Sequence, residues 1–143
     1  MNGRLLGVDW GERRIGLALT DETRIIARPL ATLTRRPGKR FPMQQLLAHC
    51  TAHGVSGIVV GLPLDEHGEE GEAAAAARQL AADIARRSGL PVELWDERLT
   101  TARALRTVRE MGGSTRGRKD DVDALAAAVM LQHYLDAGRG AES

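Results

Sequence analysis

Two short apolar runs, Arg4 to Asp9 and Ile15 to Thr20, are separated by only the five residues Trp10 to Arg14. A parallel crossover needs about a dozen residues or more, so the two runs must pair as an antiparallel hairpin. Trp10-Gly11-Glu12 supplies the turn. A third, weaker strand is expected over Ile25 to Leu33, where Pro29 implies an edge or a bulge. Gly57 to Leu62 is a continuous apolar run, the kind that is buried on both faces of a parallel sheet. Val92 to Trp95 reads as a fifth strand.

Helical patterns fill the intervals. Pro42 to His53 begins with proline in its first turn, and Glu72 to Arg87 is alanine-rich and closed by Ser88-Gly89. A helix capped by Thr100 or Thr101 is expected to run to Met111, followed by a glycine-rich loop over 112–117 and a last helix from Asp120 to Leu135. A hairpin start followed by helix-strand crossovers predicts an α/β fold with a mixed five-stranded sheet. Three strands are antiparallel, the later ones are parallel, and helices flank the sheet; that is the element order of the RNase H fold. No repeat or linker divides the chain, so one domain over 1–137 is expected, with 138–143 as a disordered tail.

A chain of 143 residues can bury a core without disulfides or structural zinc. With aromatics at 3%, that core must be aliphatic, and a base-stacking platform is a poor candidate for the main binding surface. Cys50 is the only cysteine, which fits a reducing cytosol and reads as a structural thiol. No apolar run approaches the roughly 20 residues of a membrane span, and no signal-peptide region opens the chain, so a cytoplasmic protein without a membrane partner is expected. The net charge is only +1, but it is unevenly spread. No acid lies between Glu22 and Asp65, whereas Arg24, Arg28, Arg35, Arg36, Lys39 and Arg40 do. A second basic run holds Arg103, Arg106, Arg109, Arg116, Arg118 and Lys119. Such asymmetry suits a polyanion on one face, and equally suits solvated loops and helix faces.

Three acids stand out by position. Asp9 closes the first strand, Glu97 follows the fifth, and Asp123 lies in the first turns of the last helix. If the first and fifth strands are parallel, Asp9 and Glu97 emerge at one carboxyl edge, where open α/β sheets place their sites. Three converging carboxylates repel unless a cation holds them, and oxygen-only ligands select hard ions such as magnesium and manganese. Each acid also has a plainer reading. Asp9 can satisfy turn backbone groups, Glu97 can be a solvated charge, and Asp120, Asp121 and Asp123 can all be helix-dipole charges. His49 and His53 share helical i, i+4 spacing, but no further ligand lies near them in sequence, which argues against zinc.

Four blocks carry a family resemblance. Gly7-Val8-Asp9-Trp10-Gly11 followed by Arg14-Ile15-Gly16-Leu17-Ala18 resembles the opening of the YqgF family, also called RuvX. Val59-Val60-Gly61-Leu62-Pro63 and Asp96-Glu97-Arg98-Leu99-Thr100-Thr101 resemble its next two motifs. Asp123-Ala124-Leu125-Ala126-Ala127, running into Met130 to Leu135, resembles its last. The blocks occur in the family's order and span nearly the whole chain. The resemblance implies an RNase H-like domain related to Holliday junction resolvases, and a nuclease that matures the 5′ end of pre-16S ribosomal RNA. It places the family's acidic triad on Asp9, Glu97 and Asp123, whereas Asp120 and Asp121 lie beside the motif.

On that reading two Mg2+ or Mn2+ ions sit at the carboxyl edge of the sheet. Asp9 bridges them, and Glu97 and Asp123 each complete one side. Arg14 and Arg98 are candidates to hold a flanking phosphate, although Arg98 can equally pair with Asp96 or Glu97. Arg116, Arg118 and Lys119 are candidates for backbone contacts. The expected partners are structured RNA, branched DNA as the alternative, and the pre-ribosomal small subunit, with the chain acting as a monomer or homodimer. Two other classes remain open. One is a Holliday junction resolvase or a non-catalytic RNase H-like binding protein. The other is an actin-like phosphotransferase, which needs a second domain that 143 residues do not supply.

Overall fold

The structure, a computed structural model, describes residues 3–10, 14–35, 40–63, 69, 71–96 and 119–142. In chain order the elements are β1 (Arg4–Trp10), β2 (Arg14–Thr20), β3 (Ala27–Thr34), α1 (Met43–Ala52), β4 (Val55–Leu62), α2 (Glu72–Ser88), β5 (Val92–Asp96) and α3 (Lys119–Glu142). The helix expected up to Met111 lies outside the described residues.

The strands form one sheet in the order β3-β2-β1-β4-β5. β1 pairs antiparallel with β2, and β2 antiparallel with β3. β4 runs parallel to β1 on one side and to β5 on the other. The mixed sheet expected from the hairpin and the apolar run is therefore present. Pro29 sits on edge strand β3, where the register shifts from Leu17↔Ala31 to Ala18↔Pro29, so both the edge and the bulge are realised.

Strand alternation sorts the side chains into two layers. On one face Leu6, Val8, Ile15, Leu17, Ile58 and Val60 pack with Leu46 and Cys50 of α1 and with Leu80 and Ile84 of α2. On the other, Leu5, Ala18 and Val59 pack against Ala126, Ala127, Met130 and Leu131 of α3. Each fully buried Leu or Ile contributes roughly 1.5–3 kcal/mol. The α3 face is lined by small residues, so the helix lies close to the sheet. A methyl on Gly7 would come within 3.1 Å of the Leu131 side chain.

Two boundaries differ from the sequence reading. The strand expected from Ile25 begins at Ala27. The backbone N–H groups of Ile25 and Ile26 donate to Asp21 Oδ1, at 2.8 and 2.9 Å, so a turn captures the donors that a ladder would have used. Those bonds, that to Ile26 foremost, together with the Thr23 hydroxyl, hold the Asp21 carboxyl well below the usual carboxylate range. Gln132 of α3 then fixes the start of β3, accepting from Ala27 N–H at 2.8 Å and donating to the Ile25 carbonyl at 3.0 Å. At the other end, α3 continues past Leu135 through Gly138 to Glu142, into the stretch expected as a tail. Once packing holds a helix, each added residue gains a hydrogen bond, so helices outrun their apolar stripe.

Tyr134 of α3 donates its hydroxyl to the Glu93 carboxylate of β5, and its ring meets Trp95 edge-on at 5.5 Å. Burial, with the Glu93 hydrogen bond and charge, pushes its pKa up to about 12. It is the only tyrosine in the chain, so absorbance at 295 nm reads it alone. The folded protein is expected to titrate near 12 and the denatured protein near 10. A raised folded pKa means the stability linked to this group is fully present below pH 10 and lost as pH rises towards 12. Equal folded and denatured midpoints would show that the Glu93 contact does not persist in solution.

Candidate active site

Among the described residues three polar or charged side chains are buried: Thr20, Asp9 and Asp123. Thr20 has a structural explanation. Its hydroxyl accepts from Leu5 N–H at 2.9 Å and donates to the Asp21 carbonyl at 2.8 Å. The other two are acids, 5% and 3% exposed, and burying a carboxylate costs several kcal/mol unless its charge is met.

The fold brings these two acids together. Asp9 is the penultimate residue of β1, and its cross-strand partner on β2 is Gly16. Directly opposed residues of an antiparallel pair point to one face, about 4.5–5.5 Å apart. The space above Gly16 is filled by the backbone of Asp123, for a Cβ built on Gly16 would lie 1.9 Å from the Asp123 carbonyl oxygen and 3.1 Å from the Ala124 nitrogen. Asp9 therefore points to the face on which Asp123 rests. Arg14, two residues before Gly16 on the same face, brings its Nε to 3.9 Å from Asp123 Oδ2, with its side chain 30% exposed. This guanidinium lies against an acid of the site and remains partly open to solvent.

The parallel pairing sets the rest of the edge. Val8 is level with Val60, and Val60 with Leu94, so Asp9 and Trp95 each lie one residue further along, two strand spacings or about 10 Å apart. β1 and β5 thus run in the same direction, as the shared carboxyl edge requires. β5 ends at Asp96, the residue that precedes Glu97. Glu97 itself lies outside the described residues, as do Arg98, Arg116 and Arg118, and the Lys119 side chain. Among the described residues no three His, Cys, Asp or Glu side chains assemble into a metal-holding group. His49 of α1 and His53, the residue that caps its C-terminus, stack with ring centroids 6.0 Å apart.

A cation outside the candidate set stands beside Trp10, whose ring packs on the α1 and α2 face of the sheet, opposite the buried acids. Arg35, just after β3, places its Cζ 5.9 Å from the centre of the Trp10 ring. Its only sequence signal was membership of the basic run. The donor set, two buried carboxylates beside a guanidinium at the end of parallel strands, suits a hard divalent cation: the donors are oxygens, with no sulfur or imidazole. It also suits a phosphate neighbour, with Arg14 beside the acids. Among the described residues no helix is long and apolar enough to cross a membrane.

Similarity to known proteins agrees with this geometry. The solved structure described as T. thermophilus RuvC in complex with Holliday junction substrate is similar in fold, with a TM-score of 0.56, 16% identity and 96% of each chain covered. A protein of Paramagnetospirillum magneticum (strain ATCC 700264 / AMB-1), named "Putative pre-16S rRNA nuclease", is 44% identical over 133 residues, covering 93% of this chain and 85% of its own. One of the same name from Anaeromyxobacter sp. (strain Fw109-5) is 46% identical over 133 residues, covering 93% of this chain and 96% of its own. The family model described as RuvX, Holliday junction resolvase, matches residues 3–137, which takes in both buried acids and the glycine between them. With the RNase H-like sheet in place and nearly half of its residues shared with these relatives, the chain belongs to the RuvX family.

Proposed function

We propose that this chain is a metal-dependent nuclease that hydrolyses phosphodiester bonds, and that its cellular task is maturation of the 5′ end of pre-16S ribosomal RNA. The observation that carries the reading is the pair of buried carboxylates, Asp9 and Asp123, brought together over Gly16 at the carboxyl edge of the sheet. Asp9, Glu97 and Asp123 would hold Mg2+ or Mn2+, two ions in the full site. Bound there, the ions supply an activated water and stabilise the leaving oxygen. The residues of the chain do the rest. Asp9, on a rigid central strand, fixes the centre of the site. Arg14 orients Asp123. Arg14, Arg98, Arg116, Arg118 and Lys119 engage the phosphate backbone, which gives affinity and positioning with little sequence preference. The domain acts in the cytoplasm, as a monomer or homodimer, on a substrate presented by the assembling small subunit. A net charge of +1 supports that last point, since it implies modest grip on naked nucleic acid.

A second reading has its own support. The matching family model is described as a Holliday junction resolvase, and the fold is similar to that of a RuvC solved with a junction. Competition between precursor RNA and a mobile four-way junction, at one salt concentration with manganese, separates the two. Correct cleavage of the RNA with the junction intact is the expected result. Paired symmetric cuts in the junction with the RNA uncut would reverse the assignment. No cleavage of either, with binding retained, would leave a binding protein without turnover.

A further inference from the structure

We infer that Gly16 is a positioning residue of the metal site, a seat that sets the height of Asp123 above the sheet and so the separation of Asp123 from Asp9. This rests on the metal-dependent reading above.

Other features of the molecule point to no single function. The exposed pair Ile25 and Ile26 is held firmly by Asp21 and Gln132, but nothing shows what would cover it. The stacked histidines His49 and His53 are joined by no third ligand among the described residues. Gly16 differs because its geometry points at one function. It is the register partner of Asp9, and what occupies its missing side chain is the peptide of Asp123 itself, with the carbonyl oxygen at 1.9 Å and the carbonyl carbon at 2.5 Å. Both are backbone atoms, so no side-chain rotation relieves the contact. A carbon and a carbonyl oxygen normally stay about 3.3–3.6 Å apart. A methyl at Gly16 therefore lifts the start of α3 by about 1.5 Å, and Asp123 rises with it. Arg14, on the same strand, would lose its 3.9 Å approach to Asp123 Oδ2 by the same movement. Gly7 supplies the internal comparison. It lies under the same helix on the same face, but a methyl there meets Leu131 side-chain carbons at 3.1 Å, which can yield.

The test is Mn2+ affinity, measured by calorimetry and by the spin-resonance signal of bound Mn2+, in folded protein well below its melting temperature. Gly16→Ala is expected to weaken Mn2+ binding by about 10–100-fold, the range for groups that hold a ligand in place. Gly7→Ala should leave the affinity unchanged even if it lowers the melting temperature. Asp123→Glu lengthens the side chain by one carbon–carbon bond, about 1.5 Å. It should weaken binding in the parent and restore binding in Gly16→Ala, a coupling that mere destabilisation does not produce. Parent-like Mn2+ affinity in Gly16→Ala, or an equal loss in Gly7→Ala, would overturn the inference. Should Gly16→Ala be unfolded in buffer, the titration is repeated in sucrose, which favours the compact state. A variant unfolded there too, Asp123→Glu included, would assign Gly16 to folding alone and refute the positioning role. If the parent itself binds no Mn2+, the metal reading fails first, and that outcome is distinct from all of these.

Discussion

Replacing Asp9 by asparagine is expected to lower phosphodiester cleavage by roughly 10³-fold or more while the protein stays folded. The size of the effect follows from where Asp9 sits. It is 5% exposed on β1, and β1 lies at the centre of the sheet, so its carboxylate is held in a fixed place by strands on both sides. Asparagine keeps the shape but removes the charge, and it turns one oxygen acceptor into an N–H donor, which a hard cation does not accept. Stability should move little, or rise, because the variant no longer buries a carboxylate. Cleavage rate and circular dichroism on the same preparation separate the two effects. Asp123→Asn should behave alike, and the double variant should be little worse than either single one, since the acids act as a unit. A folded Asp9→Asn protein that cleaves at the parent rate would remove Asp9 from the site.

How much of this was legible depends on the range of the forces involved. The hairpin was readable because five intervening residues leave no other pairing, and the parallel strand because a continuous apolar run demands cover on both faces. Both are local arguments. The start of β3 was misread because Ile25 and Ile26 look like strand residues, and a side-chain carboxylate four and five residues earlier wins their donors. The acids of the last helix show the limit more sharply. As dipole charges Asp120, Asp121 and Asp123 are equivalent, so position in the first turns of the helix marks Asp123 only weakly, and the family motif is what separates it from its two neighbours. What distinguishes it physically is the contact of its peptide with Gly16, residues 107 positions apart in the chain, which no periodicity encodes. Arg14 was read as a site cation from its neighbourhood, but its partner was not readable, because a guanidinium beside an acid and one awaiting a phosphate look the same in one dimension. Glu97 lies outside the described residues, so its place in the triad rests on its motif and on the strand that leads to it.

Removing divalent metal is expected to abolish cleavage outright, with Mg2+ or Mn2+ restoring it and Ca2+ restoring substrate binding with little turnover. Asp9 and Asp123, when ionised, bring two negative charges into a buried corner beside the negative phosphodiester, and the guanidinium of Arg14 contributes one positive charge. Without a divalent cation, substrate approach adds repulsion to an already crowded set of oxygens. Ca2+ relieves the repulsion, and so supports binding, but its longer and looser coordination does not hold the reacting groups in the geometry that hydrolysis needs. A 1 Å misplacement is enough to cost about 10²-fold. The same ions should raise the melting temperature, because they bind the folded state and not the unfolded one. At a concentration 100 times the dissociation constant the stabilisation is about 2.7 kcal/mol. That rise should be absent in Asp9→Asn, which ties the thermal effect to this corner and not to ions scattered over the surface. Full-rate cleavage in EDTA would exclude the metal mechanism. Metal-dependent cleavage with an undiminished thermal shift in Asp9→Asn would place the ions elsewhere on the protein, away from the acids that the sheet and α3 bring together.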